Sequence, residues 1–183
     1  SALVEEIKRL APHYDLWLLG PRNKSMVKVI KQVKQTAKVY LYFASSLTLN
    51  ATGMDAGSVD SQTTQWILNN RPDYLLKGTN GKPIEGFSWD RKFWPDPGLA
   101  AWATFFAQKL NKLLATASWD GVILDEFLST PVSHGHEWVG RATKQVKYPS
   151  DKTWQAGQLK FLGNVVPKLT KPLVPNVEPI VLL

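Results

Sequence analysis

The chain has 183 residues, 44% of them hydrophobic, and a formal net charge of +7, enough for one domain with a sizeable core and too little for two. It contains no cysteine, which excludes a disulfide framework, a thiol nucleophile and a thiolate metal site. No run reaches the roughly 18 apolar residues of a membrane span, and the N-terminal "SALVEEIKRL" is amphipathic rather than a signal sequence. The expectation is one soluble domain over residues 1–183, with any export signal already removed.

In chain order, Leu3, Val4, Ile7 and Leu10 predict a short helix ending before Pro12, and "YDLWLLG" predicts a buried strand closed by Gly20 and Pro21. Residues 25–36 repeat the helical period. Their Lys28, Lys31 and Lys34, with Lys38, lie opposite Met26, Val29, Ile30 and Val33, which reads as a solvated helix face and predicts no nucleic-acid partner. "AKVYLYFAS" is a second strand, rich in branched and aromatic residues. Residues 45–70 read as a long polar connection with one helical turn near "TTQWILNN". "DYLLKGTNGKPIEGFSW" predicts a third strand, a turn at Asn80 and Gly81, and a short extended piece.

Asp96 and Pro97 then open a helix with Leu99, Trp102, Phe106, Leu110 and Leu113 on its inner face. "DGVILDEF" follows as a fourth strand, and residues 129–148 as another long loop. Ser150 and Asp151 offer an N-cap for a helix through Leu169, and "KPLVPNVEPIVLL" supplies a fifth strand and the start of a sixth.

Strands alternating with helices predict a parallel α/β sheet, whose central strands are buried on both faces and read as continuous apolar runs. A doubly wound sheet usually carries a Gly-rich phosphate loop after its first strand, and "GPRNKS" is not one. A closed barrel suits the long loops after strands, but eight strands typically need roughly 250 residues. The fold expected is therefore a parallel (β/α) TIM-type barrel that is incomplete in this chain, which stops inside the apolar "IVLL".

The acids of "DGVILDEF" carry the functional argument. Asp120 and Asp125 are five residues apart, about 16 Å along a strand, so they do not share a site. Asp120 with Gly121 reads as a turn into the sheet. Asp125 falls at the carboxyl end, where barrels and open α/β sheets place their chemistry. A carboxylate buried at the end of Val122, Ile123 and Leu124 costs several kcal/mol unless paired, and a substrate cleft is a reason to put one there. Glu126 points to the opposite side while the strand is regular, and periodicity does not decide which of the two faces the barrel axis.

"DGVILDEF", together with "HYDLWLLG", "KVYLYFASS", "LLKGTNGKPI", "WPDPGLAAWATFFAQKL" and "WQAGQLKFLGNVVPKL", resembles hypothetical glycosyl hydrolase family 15 over nearly the whole chain. The resemblance implies a barrel glycosidase with Asp125 as nucleophile or stabilising carboxylate, and Glu126 as the neighbour that could replace it. Two better-known patterns are absent. Phe127 stands where the chitinase-like signature has its Glu, and Ile123 where amylase-like enzymes carry Arg.

Glycoside hydrolysis normally needs two carboxyl groups; Glu178, after Asn176 at the end of the fifth strand, is the preferred partner, ahead of Asp90, and a later strand outside this chain is the alternative source. Sugar rings stack on aromatic faces while polar groups meet their hydroxyls. Phe87, Trp89, Asp90, Phe93 and Trp94, with Tyr42, Asn176, His134 and His136, are the candidates for substrate contact. Trp17 reads as core. The two histidines lack a third rigid ligand, so no metal and no cofactor is expected.

The function expected is hydrolysis of a polysaccharide or oligosaccharide by a secreted enzyme. The alternatives are a non-catalytic carbohydrate-binding protein on a degenerate barrel, and a basic protein whose lysine faces bind an anionic polymer.

Overall fold

A computed structural model of the chain describes residues 1–44, 48–49, 61–86, 92–127 and 147–177. Five α-helices are described, α1 (Ala2–Leu10), α2 (Lys24–Val33), α3 (Ser61–Asn70), α4 (Ala100–Leu114) and α5 (Asp151–Val165). The strands are β1 (Leu16–Leu19), β2 (Lys38–Ala44), β3 (Thr48–Leu49), β4 (Glu85–Gly86), β5 (Lys92–Phe93), β6 (Gly121–Phe127) and β7 (Leu173–Val177). The parallel sheet has the order β1-β2-β6-β7, and β3, β5 and β4 form a small antiparallel sheet beside it. The parallel α/β architecture expected from the alternation is present.

One element differs from the expectation. β2 pairs directly with β6, Tyr40 opposite Gly121 through Ala44 opposite Asp125, so "DGVILDEF" is the third parallel strand and not the fourth. The segment read as a third strand pairs locally instead. Leu76 N–H donates to the Trp94 carbonyl, Ile84 N–H to Leu76 and Trp94 N–H to Ile84, so that Leu76, Ile84 and Trp94 pair with one another. Gly81, in the left-handed conformation at φ 73°, makes the tight turn that permits this. A second core of Leu76, Ile84, Trp94, Tyr148 and Trp154 closes over it. The single helical turn expected near Gln65 is in fact the ten-residue α3.

Strand period decides the two faces of the parallel sheet. Val39, Leu41 and Phe43 of β2 and Val122 and Leu124 of β6 are buried against the helices, in one core with Ile30, Phe106 and Phe161. Each such side chain contributes about 1.5–3 kcal/mol. The alternate residues, Leu16, Leu18, Tyr42, Ile123, Asp125, Val174 and Asn176, share the opposite face. That face is less covered: Leu16 is 54% exposed and Val174 44%.

The ends of the elements are set locally. Ser150 caps α5 in a reciprocal box with Thr153, and α2 buries Val27 and Ile30 while Val33 stays 40% exposed. Gly121 admits the Tyr40 ring and the Pro172 carbonyl: a Cβ there would lie 2.6 Å from the ring and 2.7 Å from the oxygen.

Candidate active site

The carboxyl ends of β2, β6 and β7 lie side by side, and each contributes one polar side chain to the helix-free face. Tyr42 donates its phenolic proton to Asp125 Oδ2, and Asn176 Nδ2 donates to Oδ1 at 2.8 Å. Sequence reasoning named all three residues separately; strand register brings them together.

β6 is irregular at this point. Leu124 pairs with Pro175 and Phe127 with Val177, so three steps on β6 match two on β7. This β-bulge at Asp125 and Glu126 absorbs one residue, and bulges of this kind re-aim side chains beside functional sites. Asp125, opposite Ala44, keeps the Tyr42 face, whereas Phe127 returns to the helix side and packs on Phe161 at 6.4 Å. Two adjacent acids at the end of a buried strand thus coincide with a register change.

Both Asp125 carboxyl oxygens accept hydrogen bonds from neutral donors, which orient the group. The acids whose partners are described lie elsewhere. Glu5 and Glu6 pair with Lys8 and Arg9 on α1, Asp15 with Lys34, and Asp73 with Arg71. Asp120, at the start of β6, accepts from Lys31 Nζ and Val39 N–H at 2.7 Å each. Burial acts to raise its carboxyl, but those two hydrogen bonds and the Lys31 and Lys38 charges outweigh it and hold it below the ordinary aspartate value.

Trp94 is one of the candidates for sugar contact. It is 1% exposed and packs edge-to-face on Trp154 at 6.1 Å, because the local hairpin turns it into the second core. Phe93 is 4% exposed, also in the core. Trp89, Asp90, His134, His136 and Glu178 lie outside the described residues, as does the Glu126 side chain. Among the described residues no group of three or more His, Asp or Glu is placed to hold a metal, and no helix is long and apolar enough to cross a membrane.

Asp96, read from sequence only as a helix opener, is 6% exposed and anchors a cluster that the sequence did not announce. Tyr148 donates to its Oδ1, Lys147 Nζ reaches Oδ2, and Gly98 N–H donates to Oδ1 at 3.0 Å. Burial and the Asp96 carboxylate push the Tyr148 phenol well above its usual value. The cluster ties the approach to α4 to the approach to α5, and thereby fixes where the chain re-enters the fold after β6.

The described fold is a parallel α/β sheet with a hydrogen-bonded carboxylate at a strand's carboxyl end. An alpha-galactosidase from Thermus thermophilus, solved in complex with stachyose, superposes with a TM-score of 0.59 at 16% identity, covering 97% of this chain and 36% of that one. The glucosidase II alpha subunit superposes with a TM-score of 0.62 at 12% identity, over 95% and 21%. The glycoside hydrolase domain of PelA from Pseudomonas aeruginosa does so at 0.54 and 12%, over 93% and 55%. This chain therefore spans about a third of the length of the galactosidase. No curated protein sequence matches it. Residues 31–180 match hypothetical glycosyl hydrolase family 15, and the chain belongs to that family.

Proposed function

We propose that the protein is a glycoside hydrolase acting on a polysaccharide or oligosaccharide, with Asp125 as the nucleophile or charge-stabilising carboxylate. The observation that carries the reading is the Tyr42–Asp125–Asn176 network at the β6 bulge, on the face of the sheet opposite the helices. Tyr42 and Asn176 orient the carboxylate. In a retaining reaction Asp125 Oδ attacks the anomeric carbon as the glycosidic oxygen leaves with a proton, and water then displaces the sugar; carboxyl groups about 5–5.5 Å apart suit this course, and about 6.5–9.5 Å suit inversion. Glu178, one residue beyond β7, is the proposed proton donor, and Glu126 the proposed substitute for Asp125. Trp89, Asp90, His134 and His136 are proposed to contact sugar. A polymeric substrate places the enzyme outside the cytoplasm in this proposal.

Family membership supports the reading, as do neighbours solved with carbohydrate, among them a cycloalternan-degrading enzyme from Trueperella pyogenes in complex with a covalent intermediate. The test is release of reducing ends from a polysaccharide panel. Activity that falls about a thousandfold in Asp125→Asn supports the assignment. Oligosaccharide binding without release by the unaltered protein overturns it in favour of a non-catalytic binding barrel.

A further inference from the structure

The helical layer has a gap on the side of the sheet away from Asp125. α2 packs with α1 and α4 packs with α5, which leaves a groove of about 720 Å³ between α2 and the turn after α4. One wall is Lys24, Ser25, Lys28, Lys31, Gln32 and Gln35 of α2 and its exit; the other is Thr116, Ala117 and Ser118. Lys24, Lys28 and Lys31 recur at helical spacing, so their Cα positions advance about 4.5–6 Å at a time along α2.

The charge along this groove is unbalanced. Lys31 is engaged by Asp120 at 2.7 Å and by the Ala37 carbonyl at 2.7 Å, and Lys38 lies 3.7 Å from the same Asp120. Asp120 is thereby shared by two lysines. Lys24 and Lys28 are exposed and have no carboxylate partner among the described residues. No acidic side chain lines the groove itself. Its remaining polar lining consists of two amides and three hydroxyls, groups that both donate and accept.

We propose that this groove is a second carbohydrate site, separate from Asp125, that takes a polysaccharide with a carboxylate on each sugar unit. Asp120 beside the groove and Asp125 stand at opposite ends of β6, about 16 Å apart. The lysines supply point charges to the carboxylates, and the amides and hydroxyls meet the sugar hydroxyls. A nucleic acid fits less well, because the lining has no arginine fork for phosphate. The preference for an anion rests on the lysines alone; that the anion is a carbohydrate rests on the glycosidase reading.

The experiment measures binding of polygalacturonate, neutral dextran and single-stranded RNA to the full chain by calorimetry, with Asp125→Asn and Lys24→Glu/Lys28→Glu variants. Runs at about 0.1 M and about 1 M salt shorten the screening length from about 10 to about 3 Å. The expected result is polygalacturonate binding that dextran does not match, that weakens roughly tenfold in the double-lysine variant and is lost at high salt. It persists unchanged in Asp125→Asn. Binding that ignores the double-lysine change, equal binding of dextran, tighter binding of RNA, or no polygalacturonate binding overturns the proposal. Lys24→Gln/Lys28→Gln, with an unaltered melting temperature, guards against misfolding of the charge-reversed variant. Absence of released reducing ends from every polymer counts against the glycosidase reading and leaves the polygalacturonate result standing separately.

Discussion

At the scale of the residue, Asp125 is held by two described donors, Tyr42 and Asn176. Tyr42→Phe removes one of them, and kcat on a released-sugar assay is expected to fall roughly tenfold while KM changes little, since about 1.5 kcal/mol is typical for a hydrogen bond to a charged group. An unaltered kcat in Tyr42→Phe would mean that the phenol only packs there. Asp125 was legible in the sequence because a carboxylate ending an apolar run demands a partner. That Tyr42 and Asn176 are those partners was not, since they stand 83 and 51 residues away and meet it only through strand register. The same holds for Asp96: Asp-Pro is a local helix-start signal, and its partners Lys147 and Tyr148 lie 51 and 52 residues further on.

At the scale of the element, two glycines of α5 separate propensity from packing. A Cβ on Gly163 meets nothing within 4 Å, so Gly163→Ala is expected to stabilise by about 0.5–1 kcal/mol in chemical denaturation. A Cβ on Gly157 would lie 2.8 Å from the Tyr148 ring, and Gly157→Ala is expected to destabilise by about 1–3 kcal/mol despite the better propensity.

The start of β6 shows the electrostatic counterpart. The Asp120 side chain is 20% exposed, and its folded-state carboxyl is held below its unfolded value, so its contribution is full above the unfolded pKa of about 3.9 and is lost as the pH falls through the folded one. Asp120→Asn should cost about 1–3 kcal/mol at pH 7 and flatten the fall of stability below about pH 4, measured by urea midpoints across pH. A parallel loss at every pH would contradict this role.

At the scale of the whole molecule, the described parallel sheet ends on β1 and β7, and its helix-free face carries apolar residues that the interior of a barrel would cover. Leu16 is 54% exposed, Leu18 47% and Val174 44%. An apolar edge strand is a template for pairing with another copy. The chain is expected to self-associate with rising concentration in sedimentation velocity, and Leu16→Lys/Leu18→Lys to reduce it; a concentration-independent monomer would contradict this.

The amino-acid sequence by itself determined the α/β class, the helices of one clear period and the acid at the end of "DGVILDEF", because these depend on interactions within a few residues or on the cost of burying a charge. The tertiary structure alone decided how many strands share the sheet, which of Asp125 and Glu126 keeps the regular register, and that Trp94 lies in a core. Each of those is a choice of hydrogen-bonding partner between distant segments. The apolar run at Leu75 and Leu76 satisfies its backbone equally well in a parallel sheet or in a local hairpin, and only the packing of Trp94, Tyr148 and Trp154 over it selects the hairpin.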